Sequence, residues 1–478
     1  MLRPGPSFAA LMPTIFLLFS APWPARWRVL AVLALYAAYL PLSGYTVGQF
    51  RFDAAEYWEL SLKFTQNGHF SLLAFDAPLR GYLGPLLVLP ARLLCHFTGW
   101  SMLTGARVLG AGWAAVLFGI AVPQLWAQAT GRVLSGGRWL VFIGLSFIFW
   151  RDYFNFTLSD MPALALLLLG IAALARRGWG WAAVAGLLLA AAINIRPIYL
   201  ASTPGLLWLL LRNSRPAPRS SAWWRSVALV AGLALVLLPQ LLINLRHFQQ
   251  PTPLVLARLR GTAPLYLKQL TWGTAFQRYE SSLVPESFRS LVYADSAGQR
   301  ALVGVPGHRF GSYGQYVQFA LHQPVATSGR YLRHLFNGLD VQFPTPYPRH
   351  LHPLGQAALR LLNYVLLGLG VWLALSAWRK HRQGVWEPVM VGTLLALLLP
   401  CLLVLPTLME TRFLLPLHLL VLMMVAGTWQ PAACWRKLGS HVRRLAAMAV
   451  VVGWLWGCWQ VSEATAGQLR PPSEAPKE

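Results

Sequence analysis

The chain has 478 residues, of which 56% are hydrophobic and only 12% charged. Soluble domains carry about 25% charged residues, so this chain has too little polar surface to face water all round, and a soluble enzyme on a membrane tether is excluded. Its formal charge of +25 would suit nucleic acid, but the basic residues sit in short clusters between apolar blocks. That is how cytoplasmic loops are held by the positive-inside rule, and no nucleic acid is expected as a partner.

At the N-terminus, Arg3 precedes an apolar stretch over residues 8–19, which Pro22, Trp23 and Pro24 interrupt with no small-residue cleavage site. It reads as an uncleaved interfacial helix. Apolar blocks of membrane length then predict spans at 28–47, 104–126, 138–155, 160–175, 180–196, 198–211, 226–246, 357–378, 386–406, 412–428 and 445–461. The expected fold is an all-α membrane protein, a polytopic bundle of about eleven transmembrane helices with two larger outer-face loops. Its parts are an N-terminal module, 1–246, with an outer catalytic loop at 48–103, an extracytoplasmic region at 247–356, and a C-terminal module at 357–478.

Placing Arg26 and Arg28 inside puts the clusters at 212–225, 379–382 and 436–444 inside as well. This holds if residues 82–98, which carry Pro85, Pro90, Arg92 and His96, form an interfacial or re-entrant helix. Both long loops then share the outer face. Abundant Arg, Ala, Leu and Trp with short inside loops point to a bacterial inner membrane, with membrane lipids as constant partners. The cysteines Cys95, Cys401, Cys434 and Cys458 have neither metal-ligand spacing nor a disulfide framework.

The chain has only 15 Asp and Glu, and none lies between Asp160 and Glu280. Carboxylates near lipid are costly, so Asp53, Glu56, Asp76, Asp152, Asp160 and Glu410 stand out. Asp53 and Glu56, three apart, share one face of a helix starting near Asp53. They also match a capping box, with Asp53 as N-cap and Glu56 at N3. Ser159 or Asp160 would N-cap the next span, and Asp152 could simply pair with Arg151. Glu410 and Arg412, two apart, are expected to point at different partners, with Pro406 and Pro416 breaking the helix beside them.

Among bases on the outer side, Arg80, Arg196, Arg258 and Arg260 could bind phosphate through their planar forks or snorkel to headgroups. Snorkelling suits Arg258 and Arg260 better. His308, His322, His334, His350 and His352 match no zinc signature and read as surface histidines. The loop's aromatics suit sugar stacking or an interfacial belt.

Together these pieces resemble the C-type polytopic glycosyltransferases, the group that includes protein mannosyltransferases and aminoarabinose transferases. The resemblance rests on Asp53 and Glu56 after the first span, the Arg80–Pro85 stretch RGYLGP, Asp160-Met161-Pro162 before a span, Arg196-Pro197 at a helix end, and ETRFLLP from Glu410 to Pro416. The first motif departs from the adjacent acidic pair of some relatives, because Ala54 and Ala55 separate the carboxylates.

The resemblance implies an inverting transferase taking sugar from a polyprenyl-phosphate donor to a glycan, lipid or protein acceptor at the outer face. Asp53 would then be the general base, with Glu56 and Asp160 as further catalytic carboxylates. Asp160 would orient the acceptor or hold a divalent cation, Mg or Mn, with Asp53. Arg80, Arg196 and Arg412 would hold the donor phosphate, supported by Asp152 and Glu410. Competing readings are a lipid-linked sugar transporter or flippase, a surface-polysaccharide polymerase or ligase, and a structural assembly protein. Acidic residues at outer span ends, rather than within spans, favour the transferase over a transporter.

Overall fold

The computed structural model describes residues 19–214, 219–258, 263–284, 289–381, 387–430 and 441–470. Residues 8–18 of the N-terminal apolar stretch, Arg260, Cys434 and the start of the 436–444 cluster lie outside the described residues.

The chain is built from α1 (Ala25–Leu42), α2 (Phe52–Leu60), a short hairpin β1 (Thr65–Gln66) and β2 (His69–Phe70), α3 (Leu83–Thr98), α4 (Met102–Ala114), α5 (Val122–Thr130), α6 (Gly136–Trp150), α7 (Asp160–Leu174), α8 (Trp179–Ile195), α9 (Thr203–Ser214) and α10 (Arg219–Phe248). The 247–356 segment comes next as α11 (Leu265–Ala275), β3 (Phe276–Ser282), β4 (Arg289–Ala294), α12 (Ser296–Val303), α13 (Tyr313–His322) and α14 (Pro324–Leu339). The last part holds α15 (Pro353–His381), α16 (Pro388–Val404), α17 (Leu415–Thr428), α18 (His441–Ala466) and β5 (Leu469–Arg470).

Each of the eleven expected span segments falls on a helix. Among the described residues, six helices are long and apolar enough to cross a membrane: Ala25–Leu42, Met102–Thr130, Ala222–Phe248, Pro353–Arg379, Thr411–Thr428 and His441–Ala466. Four more are apolar but shorter, α3, α7, α8 and α16. The protein is therefore a helical integral membrane protein. At 16 residues, α3 is about 24 Å long, with Pro90 inside it.

Local chemistry explains the joints. Ser101 caps α4 by accepting from the Thr104 amide at 3.2 Å. Between α4 and α5 the helix widens into a π turn over Ala115–Ala121. Pro123 has no N–H to give the Gly119 carbonyl four residues back. That oxygen instead accepts from Arg28 Nε on α1, at 2.9 Å. Where α8 crosses α10, Gly186 and Gly232 let the backbones touch: a Cβ at Gly186 would lie 2.1 Å from the Leu229 carbonyl oxygen.

The deepest helix is α7, buried along most of its length, whereas α10 and α18 expose large apolar residues such as Trp223, Leu235, Val450 and Trp456. Without a hydrocarbon solvent those faces would be costly, so they belong against lipid. Outside the bundle, β3, β4 and β5 form an antiparallel sheet that joins the 247–356 region to the residues after α18.

Candidate active site

The site begins where α1 ends and the chain turns into α2. Phe52 stands at φ 56, a left-handed conformation that costs a non-glycine residue about 1–2 kcal/mol. Its ring packs on Tyr347 with centroids 5.2 Å apart, which holds the turn. The helix thus starts one residue before Asp53, its N-cap is Arg51, and that cap makes no side-chain bond. The expected capping box is absent because Arg80 takes both carboxylates instead. Its Nη2 lies 2.8 Å from Asp53 Oδ1 and 2.7 Å from Glu56 Oε2.

The stretch from Gly81 to Leu83 aims Arg80. The Leu83 amide donates to Asn194 Oδ1 at 3.0 Å, Asn194 donates to Gln240 at 2.8 Å, and Gln240 donates to Asn244 at 2.9 Å. This ladder of buried amides at the ends of α8 and α10 docks the RGYLGP stretch. Gly81 lies so close that a Cβ there would be 2.0 Å from the Asn194 carbonyl oxygen.

Because α7 and α8 run antiparallel, the first residue of one and the last of the other share an end. Asp160 opens α7 and pairs with Arg196, which caps α8. Asp160 caps nothing, and the Ser159 side chain makes no cap bond either. The Asp160 side chain is 2% exposed, against 27% for Asp53 and 34% for Glu56, so the cluster runs from a closed floor to a partly open mouth.

Arg412 joins the two halves. It sits on the turn Thr411–Leu414 ahead of α17, with Nη2 2.8 Å from Asp53 Oδ2 and Nη1 3.8 Å from Asp160 Oδ2. Its Nε donates to Glu410 Oε2 at 2.7 Å. The expectation that Glu410 and Arg412 point at different partners is corrected: Glu410 is extended, so the helical spacing rule does not apply and the pair closes.

Four carboxylates and three guanidiniums therefore meet from five separated stretches of chain: Asp53, Glu56, Arg80, Asp160, Arg196, Glu410 and Arg412. Burial alone would push Asp53 up, but the guanidiniums of Arg412 and Arg80 overcome it and hold its carboxyl well below the usual range. At Glu410 burial wins over Arg412, and its pKa is raised. Beside the cluster a narrow cleft is lined by Asp160, Arg196 and Arg412 together with Ile198, Val404 and Phe413.

Asp152 does not join this cluster. It accepts from Tyr39 at 2.8 Å, and Arg151 bonds Tyr39 at 3.0 Å rather than Asp152, so the simple ion pair is replaced by a tyrosine bridge. Asp76 pairs with Lys63. The Arg258 amide bonds the Pro78 carbonyl at 3.4 Å. Four of the five loop histidines are exposed, but His334 is fully buried, with Nδ1 2.6 Å from the Leu405 carbonyl oxygen, and burial lowers its pKa to about 4.

For a divalent cation the fit is poor. Arg412 already spans Asp53 and Asp160, so a cation bridging them would have to displace a guanidinium. Among the described residues no group of three or more His, Cys, Asp or Glu has ligand geometry.

Sequence reasoning missed the residues behind Arg412. Arg278, 1% exposed, lies 3.0 Å from Glu280 and 3.4 Å from Asp340. Glu280 in turn accepts from the Thr411 hydroxyl. Tyr347, buried beside Asp53, was likewise hidden in a long loop with no periodic signal; burial, then the Asp53 charge, raises its pKa. The lone Glu280 after a long acid-free stretch was the one available pointer. No family model matches the chain, and no curated protein matches it.

Proposed function

We propose that the protein is a glycosyltransferase of the C-type polytopic kind, with about eleven spans in a bacterial inner membrane. It moves a sugar from a polyprenyl-phosphate donor to a lipid, glycan or protein acceptor at the outer face. The observation that carries this reading is the meeting of Asp53, Arg80, Asp160, Arg196 and Arg412, residues that the family motifs single out from distant parts of the chain.

The chemistry needs a base, a place for phosphate and little else. An acceptor hydroxyl attacks the anomeric carbon, the bond from that carbon to the phosphate oxygen breaks, and polyprenyl phosphate leaves as an anion. Asp53 takes the hydroxyl proton. Arg412 and Arg196 stabilise the leaving phosphate.

With two guanidiniums on it, Asp53 is a weak base. A donor phosphate that draws Arg412 toward itself strengthens that base as the donor arrives. Activation is thus coupled to occupancy, and sugar is not lost to water beforehand.

The test is transfer of radiolabelled sugar from lipid-linked donors in membranes, with wild type and Asp53→Asn at equal protein levels. The expected loss in the variant is about 10²-fold or more. Undiminished transfer would remove Asp53 as base, and no transfer by wild type from any donor would favour a transporter of the same lipid-linked sugars.

A further inference from the structure

Arg412 reaches three carboxylates from a turn of only four residues, and such a turn does not hold its own direction. The outer sheet holds it. On β3, Glu280 Oε1 accepts from the Thr411 hydroxyl and lies 3.4 Å from the Thr411 amide nitrogen. Arg278, two residues earlier on the same strand, donates from Nη2 to the Thr411 hydroxyl oxygen at 3.2 Å.

Behind these stands a closed chain of buried partners. Arg278 pairs with Asp340 at the end of α14. Asp340 accepts from Ser462 on α18 at 2.6 Å and from Tyr364 on α15 at 2.8 Å. Glu280 and Asp340 are 7% and 0% exposed at the side chain, so neither charge is there to meet water or lipid. Burying them without function would be costly, and the bonds of Glu280 run to Thr411 and to Arg278, which itself bonds Thr411.

We propose that Glu280, acting through Thr411, is a positioning residue for Arg412. It fixes the turn so that the Arg412 guanidinium sits between Asp53 and Asp160, within reach of an arriving phosphate. The extracytoplasmic region then works on the reaction from behind, through one threonine. This rests on the transferase reading for what Arg412 binds.

The experiment compares wild type, Thr411→Val, Thr411→Ser and Glu280→Gln in detergent-purified protein. Donor KM, acceptor KM and kcat are measured with a lipid-linked sugar donor, alongside binding of sugar-free polyprenyl phosphate. Thr411→Val keeps the shape and removes the hydroxyl. It is expected to weaken polyprenyl phosphate binding and raise donor KM at least fivefold, with acceptor KM unchanged. Thr411→Ser restores both to within twofold of wild type, and Glu280→Gln falls on the side of Thr411→Val.

A variant that had only lost stability would lower the active fraction without moving either KM. Donor KM and phosphate binding equal to wild type in Thr411→Val would overturn the proposal, as would failure of Thr411→Ser to restore them. Wild type that neither transfers sugar nor binds polyprenyl phosphate would overturn the transferase reading and this role together. Wild-type transfer with an indifferent Thr411→Val would overturn the positioning role alone.

Discussion

Arg412 closes on Asp53 at 2.8 Å, joining the loop after the first long apolar helix to the turn before α17. The same guanidinium spans Asp53 and Asp160 and is backed by Glu410, so its fork geometry matters as much as its charge.

Arg412→Lys keeps the charge and discards the fork. A lysine is a point charge that cannot hold two carboxylates and a phosphate in fixed directions. We expect kcat to fall by about 10²-fold, the scale of losing one oriented donor at a developing anion. Initial rates of sugar transfer at saturating donor measure it, and near-wild-type kcat would mean that charge alone suffices.

Acid stability separates Asp53 from Glu410 by sign. The native Asp53 pKa is depressed, so its ionised form stabilises the fold above the unfolded value of about 3.9, and that contribution is lost as pH falls through the native value. The native Glu410 pKa is raised, so its ionised form opposes the fold, and that cost disappears as pH falls. Thermal unfolding midpoints in detergent should place Asp53→Asn below wild type and Glu410→Gln above it at neutral pH. Both gaps should narrow toward acid. Gaps that do not change with pH would contradict the assignment.

Transfer should not depend on a divalent cation at this cluster. Arg412 supplies the positive charge between Asp53 and Asp160 that a metal would otherwise provide. Membranes treated with chelator are expected to keep transfer within about twofold, because arginine-held phosphate needs no metal to neutralise it. Loss of activity restored by added Mg or Mn would show that a cation displaces Arg412 during turnover.

Gly81→Ala tests how tightly Arg80 is aimed. The new Cβ would meet the Asn194 carbonyl oxygen at 2.0 Å, and backbone cannot swing aside as a side chain can. Overpacking of this kind costs about 1–3 kcal/mol, so a lower unfolding midpoint and weaker transfer are expected. Gly112→Ala is the control, because its Cβ would meet nothing within 4 Å.

The helices were legible because apolar blocks of membrane length announce themselves, and every expected span falls on a helix. The charged cluster was legible for a related reason. In a chain with 15 acidic residues, a carboxylate at a helix end is rare enough to notice. Pairing was not legible. Nothing in one sequence says that Arg80 reaches back to Glu56, or that extended backbone at Glu410 lets it meet Arg412. Arg278, Glu280 and Asp340 were hidden because their strand and loop have mixed composition, and the partners they meet, Thr411, Tyr364 and Ser462, come from much later in the chain. His334 misled for the same reason: its polarity suggested surface, while a carbonyl on another helix made an interior place for it.

The π turn at Gly119 bears on the far side of the protein. Arg28 sits near the start of α1, and Asp53 lies beyond its other end. Sliding α1 by one residue would break the bond from Arg28 Nε to the Gly119 carbonyl oxygen. The first helix is thus pinned like a key in a lock at its starting end. Across 18 residues it works as a ruler of about 27 Å between that pin and the stretch that leads to Asp53.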